Sequence, residues 1–251
     1  MNKTLVQLKM EFKRAFLRNK SFIFFSLCMP IGFYLLFTKV LNMGVTKEQM
    51  PAFNMRTLQS MTIYSVLISS IYSLSGSIVT DKIKGVTQLM ITTPFSTKRY
   101  LGIKLGMQML LNSLLICLIF IVGIVVNKVQ APILTWLSLG GWILYGTLPF
   151  MAIALLISFA KRAETVSILG NIFVFPLAIV SGLWWPIEYL PKMIQAIAKF
   201  LPTYYVNTQT QSILKSKAPT VQSFLIIFVY FVGFVLLYMY IKKKKGQLNH
   251  A

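Results

Sequence analysis

Catalysis needs nucleophiles, bases or metal ligands within reach of one another, and this sequence keeps the few it has apart. Its single histidine, His250, is the penultimate residue and reads as a solvated terminal side chain. Cys28 and Cys117 both lie inside apolar stretches, so they define neither a disulfide framework nor a redox compartment. The acids Glu11, Glu48, Asp81, Glu164 and Glu188 are scattered singly. Such spacing offers no zinc or di-iron ligand set. Nor does it offer a Ser–His or Cys–His pair for covalent catalysis. A phosphate-binding loop needs G-x-x-x-x-G-K-[ST], and no Gly-Lys step occurs anywhere. The string Ser73-Leu74-Ser75-Gly76-Ser77 falls within an apolar run, where small residues serve helix packing. The expectation is a chain with no catalytic residue, metal or cofactor of its own. Energy for any uphill work would have to come from another polypeptide.

The elements that must position everything else are six uncharged windows: Phe22–Thr38, Leu58–Val79, Leu105–Val126, Ile133–Phe159, Thr165–Trp185 and Val221–Ile241. Each approaches the roughly 20 apolar residues that carry a helix across about 30 Å of hydrocarbon. Twenty-five Lys and Arg against five acids would suit a nucleic-acid binder. Here the basic residues lie between the windows, so they report topology and argue for no nucleic-acid partner. Seventeen of them fall before window one, around the second-to-third loop, after window four and in the Lys242–Lys245 tail; the other eight fall on the opposite side. The positive-inside rule then puts both termini in the cytoplasm. The tetralysine tail also suits an anionic inner leaflet. The amino terminus lacks the cleavage site of a signal peptide. The fold class is all-α, a polytopic membrane protein in one domain over 1–251: a cytoplasmic helix over 1–21, six spans over 22–241, and a basic tail over 242–251.

Four segments carry further patterns. At 100° per residue, Leu5, Leu8, Phe12 and Phe16 share a stripe opposite Lys3, Gln7, Glu11, Arg14 and Arg18, which predicts an amphipathic helix lying on the membrane surface. It serves as an anchor or as a docking surface for a cytoplasmic partner. The loop after window two runs from basic residues through Gly85 and a short apolar stretch to Thr93-Pro94, with a short helix predicted to end before Pro94. Along window two, Ser65, Ser69, Ser73 and Ser77 recur every fourth residue, and Gly102 and Gly106 repeat that interval; such spacing lets helix backbones approach, as internal packing, a dimer seam or a path lining. Asn112 and Asn171 read as buried amides that bond between helices. Finally, Leu190, Met193, Ile194, Ile197 and Leu201 share a face between Pro191 and Pro202, preceded by Trp184, Trp185 and Pro186 at interface depth.

The order Asp81, Gly85, Thr87, Leu89, Thr93, Pro94, Ser96, Lys104, followed by Pro176, Ser181-Gly182, Pro186, Leu190-Pro191 and Pro202, resembles the permease subunits of type-2 ABC exporters. With the six-span layout and basic amino-terminal helix, the resemblance covers nearly the whole chain. Val86, Gln88 and Ile103 depart from the pattern, where threonine, an acid and no intervening residue are usual. The resemblance implies a coupling helix over Ile83, Gly85, Thr87, Gln88, Leu89, Met90 and Ile91 against two copies of a separate ATPase that binds ATP and Mg. It also implies a second permease copy or a related permease, a bacterial plasma membrane, and an external hairpin over Trp184, Trp185, Pro186, Ile194 and Ile197, re-entrant or surface-lying. The uncharged spans favour an amphiphilic or apolar cargo such as an antimicrobial peptide, an antibiotic or a lipid-like molecule. The alternative class is an ATP-independent channel or a membrane assembly factor; a channel would show a continuous polar stripe, which only the window-two serines approach.

Overall fold

The computed structural model describes residues 24–42, 44–86 and 97–248, and every regular element among them is helical. The predicted interfacial residues Leu5, Leu8, Phe12 and Phe16, and the loop positions Thr87, Gln88, Leu89, Met90 and Ile91, lie outside the described residues. Among the described residues, five helices are long and apolar enough to cross a membrane: α2 (Met50–Ile83), α3 (Thr97–Asn127), α4 (Ile133–Ile157), α5 (Ala163–Val180) and α8 (Val221–Leu248). A shorter apolar helix, α1 (Phe24–Val40), precedes them. Between α5 and α8 lie the one-turn 3₁₀ segment Ile187–Tyr189 and two helices, α6 (Lys192–Ala198) and α7 (Pro202–Leu214). The polytopic all-α layout of about six spans stands.

The helices overrun the uncharged windows because a charge does not stop a helix. Arg56, Asp81 and Lys82 all sit within α2, and α8 continues through the lysines that were expected to form a separate tail. Lysine is a good helix former and needs only water around its ammonium group. True ends come from backbone geometry. Gly85 adopts φ +70°, a left-handed cap that few side chains tolerate, and its N–H bonds Lys82 O at 3.1 Å. Gly182, at φ +75°, closes α5 in the same manner, with Leu183 N–H reaching back to Ala178 O at 3.1 Å. The fifth helix therefore stops five residues short of Trp185.

α2 is the central element. Thirteen residues between Asn54 and Ile68 are buried, and its core side chains Leu58, Ile63, Tyr64, Leu67 and Ile71 are at most 1% exposed. By contrast α5 and α8 present Ile168, Ile172, Leu225, Val229 and Leu236 outward, each more than half exposed. For a chain that crosses a bilayer, those faces meet lipid. The bundle has two ends. One, the loop end, gathers the close of α2, the start of α3 and the close of α4. The other, the hairpin end, carries residues 181–220.

One proline and three wide turns shape α1 and α2. α1 is α-helical only over Met29–Leu35, and both of its ends wind as π turns. Pro30 has no N–H to give the carbonyl four residues back, that of Ser26. Ser65 of α2 donates its hydroxyl to that carbonyl instead. α2 itself widens into a π turn over Ser69–Ser73, a distortion that often marks functional positions in helices.

Candidate functional site

A cavity of about 450 Å³ opens between α1, α2 and α5. Phe25, Ser26 and Met29 form one wall, Tyr64, Ile68, Tyr72 and Ser73 the second, and Ser167, Asn171, Val174 and Phe175 the third. The π turn sets its shape by carrying Tyr72 round toward α5, where the phenol donates to Asn171 Oδ1. Gly170 makes room for that ring: a Cβ there would overlap Tyr72 Cε1. Among the described residues, no Lys, Arg, Asp, Glu or His lines the cavity. A mostly apolar hollow with a few hydroxyl and amide groups suits an amphiphile, whose apolar body fills the space while sparse polar groups fix its orientation.

The serine stripe of α2 does not serve one neighbour, and the π turn over Ser69–Ser73 breaks its four-residue register beyond Ser69. Ser65 reaches α1, and Ser69 reaches α3, donating to Asn112 Oδ1 at 2.9 Å. Ser73 lines the cavity, and Ser77 bonds its own helix at Leu74 O, 3.0 Å away. Asn112 is fully buried and interhelical, as expected; its Nδ2 donates to Ser70 Oγ at 2.9 Å. Gln108 completes this network, donating to Ser69 Oγ at 2.8 Å and to Asn112 Oδ1 at 2.9 Å. Asn171 also bonds between helices, accepting from Tyr72, but against expectation it is exposed, at the cavity wall, and not buried. α5 packs through its other side, Val166, Gly170, Val174 and Leu177. Gly102 and Gly106 face outward, where an added Cβ would meet nothing within 4 Å among the described residues, and close approach is made instead at Gly123, Gly146 and Gly170.

At the loop end, Ile83 is 60% exposed, two residues before the Gly85 cap. Just inside it, Lys104 Nζ lies 2.8 Å from Asp81 Oδ2, with both side chains 3% exposed. Tyr100 Oη donates to the same carboxylate oxygen at 2.8 Å. Lys104 is thus not a loop charge. α3 begins at Thr97, seven residues earlier, so its ammonium sits inside the bundle. The neighbouring Lys82 donates to Ser158 O at the close of α4, 2.6 Å away, and lies over the Phe159 ring.

At the hairpin end, Trp184 packs among Phe33, Tyr64 and Phe175, with ring centroids 5.5–6.1 Å away. Trp185 is half exposed. Both rings, with Pro186 and Arg56, border a second hollow of about 280 Å³. Ile194 is partly buried, while Ile197 and Met193 point away from the bundle, so the expected apolar face of α6 is not its packing face; Ala198 is. The inserted element is α7, which sequence reading missed. Trp142 Nε1 donates to Val206 O at 3.0 Å, and a Cβ on Gly146 would meet Val206 Cγ2 at 2.6 Å. Gly146 lies near the middle of the 25-residue α4, about 20 Å along the helix from Ile133. α7 therefore enters the bundle beside α4 and buries Thr203, Asn207 and Thr210. Asn207 holds the turn after α5, donating to Ser181 O at 2.9 Å and Gly182 O at 3.1 Å. The available signal was the spacing of Thr203, Asn207 and Thr210, one helical face just after Pro202.

The comparisons with known proteins agree with this architecture. The chain is similar to the Bacillus subtilis protein described as "Putative transport permease YvfS", at 35% identity over 94% of this chain and 95% of that one. A stretch of 49 residues is 41% identical to the linearmycin resistance permease protein LnrN of the same organism, covering 20% of this chain and 13% of that protein. Residues 3–215 match the family described as ABC-2 type transporter. With six apolar helices and a match across most of its length, the chain belongs to the ABC-2 type transporter family.

Proposed function

We propose that this chain is the membrane subunit of an ATP-driven exporter that moves amphiphilic or apolar molecules out of a bacterial cell. The observation that carries the cargo class is the cavity between α1, α2 and α5, which offers the Tyr72 phenol and Asn171 amide but no charge among the described residues. A charged, strongly hydrated cargo would lose its water there without gaining a counter-ion. The likeness over 49 residues to a protein named as a linearmycin resistance permease supports a role in resistance. Family membership supports a separate ATPase, two copies of which would dock at the loop end against Ile83, Gly85, Thr87, Gln88, Leu89, Met90 and Ile91. A second copy of this chain, or a related permease, would close the open side of the cavity. Cytoplasmic termini follow from the basic residues at the loop end. The hairpin over Trp184, Trp185, Pro186, Ile194 and Ile197, with α7, would then close the path from outside.

The test is cargo selectivity. Cells expressing the chain with its ATPase are challenged with a panel of membrane-active amphiphiles, and survival is compared for the wild type, Tyr72→Phe and Asn171→Leu. The cavity reading expects the ranking of protected compounds to change while ATPase co-purification does not. An unchanged ranking with full protection removes the cavity from the cargo path.

A further inference from the structure

A salt bridge sealed inside an apolar bundle is costly to build, because both ions lose their water, and apolar side chains of similar volume would often stabilise the fold as well or better. Its value is geometric: two charges in a low dielectric hold one separation and direction. The Asp81–Lys104 pair has that character, with a 2.8 Å contact and both side chains 3% exposed. Its position matters more than its strength. Asp81 is two residues from the close of α2 at Ile83, and Lys104 is on the second turn of α3, so the pair shuts the base of the loop that leaves one span and enters the next. Tyr100, one turn before Lys104 on the same face, donates to the same Asp81 oxygen at 2.8 Å, and the Lys104 ammonium lies over the Tyr100 ring, 5.6 Å from its centre. Adjacent residues on a helix point about 100° apart, and Lys82 uses that turn to donate to Ser158 O of α4 at 2.6 Å. The close of α2 is thereby held by α3 through Asp81 and by α4 through Lys82.

We propose that Asp81 and Lys104, with Tyr100, form a positioning clasp that makes any displacement of the loop move α2 and α3 as one body, so that ATPase motion reaches the cavity walls. The clasp touches no cargo and rests on the reading of the loop as the coupling segment. Breaking it leaves the loop free to follow the ATPase while α2 stays behind.

The experiment uses the full permease–ATPase complex in proteoliposomes, reading ATP hydrolysis and amphiphile transport in the same preparation. The variants are Asp81→Asn, Lys104→Met, Tyr100→Phe, and the exchange Asp81→Lys with Lys104→Asp. Each single variant is expected to keep its ATPase and hydrolyse ATP within about twofold of wild type while transport falls about tenfold, and the exchange restores the ratio of transport to hydrolysis. A merely structural pair would lower hydrolysis, transport and complex yield together, and that parallel loss overturns the clasp, as does an exchange that folds but stays uncoupled. If the Asp81 and Lys104 single variants do not assemble, the decision falls to the other two proteins. A coupled exchange and a Tyr100→Phe protein with reduced transport per ATP support the clasp; normal coupling in Tyr100→Phe together with a failed exchange overturns it. Leu89→Asp is run alongside: if it retains both ATPase and export, the loop reading itself fails, separately from the clasp.

Discussion

Ser65 of α2 donates its hydroxyl to the carbonyl of Ser26 in α1, the acceptor that Pro30 leaves without its usual i+4 donor. A proline inside a span opens a polar group toward hydrocarbon, and a serine on the neighbouring helix covers it. The contact lies in the wall of the larger cavity, where Ser26 is a lining residue. It ties the shorter first helix to the central one.

This relationship predicts a non-additive pair. Ser65→Ala should destabilise the detergent-solubilised protein by about 1 kcal/mol. Pro30→Ala restores the backbone donor, so the same serine change in that background should cost clearly less. A double-mutant cycle of thermal midpoints checks this; equal costs in both backgrounds would show that the serine serves another purpose.

The seating of α7 predicts a size-swap. Gly146→Val should drive a side chain into Val206, whose Cγ2 would stand 2.6 Å from a Cβ added at Gly146, and cost about 1–3 kcal/mol through overpacking. Val206→Gly in the same chain should recover part of that loss. Fluorescence melting in detergent reads both. If Gly146→Val melts like the wild type, α7 does not sit against the middle of α4.

Much of this was legible in the sequence, for identifiable reasons. Span number follows from uncharged length, because hydrocarbon thickness is fixed and the cost of an unpaired charge is high. Helix ends did not follow, since Arg56, Asp81 and the terminal lysines continue a helix once their charges reach water or a partner. The interhelical role of Asn112 was readable from an amide set in an apolar run. Gln108, one turn away on the same face, was overlooked, as were Asp81 and Lys104 as partners, because a pair on different helices has no periodicity to betray it. The serines of α2 are the clearest case: a regular four-residue spacing promised one polar face, but Ser65 bonds α1, Ser69 bonds α3, and Ser73, at the end of the wide turn, lines the cavity.

Topology gives a direct prediction. Single cysteines at Lys47, Ser96, Lys192 and Lys215, with Cys28 and Cys117 replaced, are probed in intact cells with a membrane-impermeant thiol reagent. Lys47, Lys192 and Lys215 positions should label and Ser96 should be protected until the cells are opened. The reverse pattern would invert the bundle, and the hairpin could no longer be an outer gate.

The central claim is that this chain moves cargo only when a separate ATPase drives it through the loop after α2. Inside-out vesicles carrying the chain alone, the ATPase alone, both, or the ATPase with Leu89→Asp or Met90→Asp are given Mg-ATP and a fluorescent amphiphile from the protected panel. An unpaired charge placed in an apolar docking contact costs several kcal/mol, so both loop variants should insert normally yet fail to co-purify the ATPase. ATP-dependent accumulation is expected only where wild-type chain and ATPase are present together, and none with either loop variant. Accumulation by the chain alone, or full accumulation and ATPase retention in the Leu89→Asp and Met90→Asp vesicles, would contradict it.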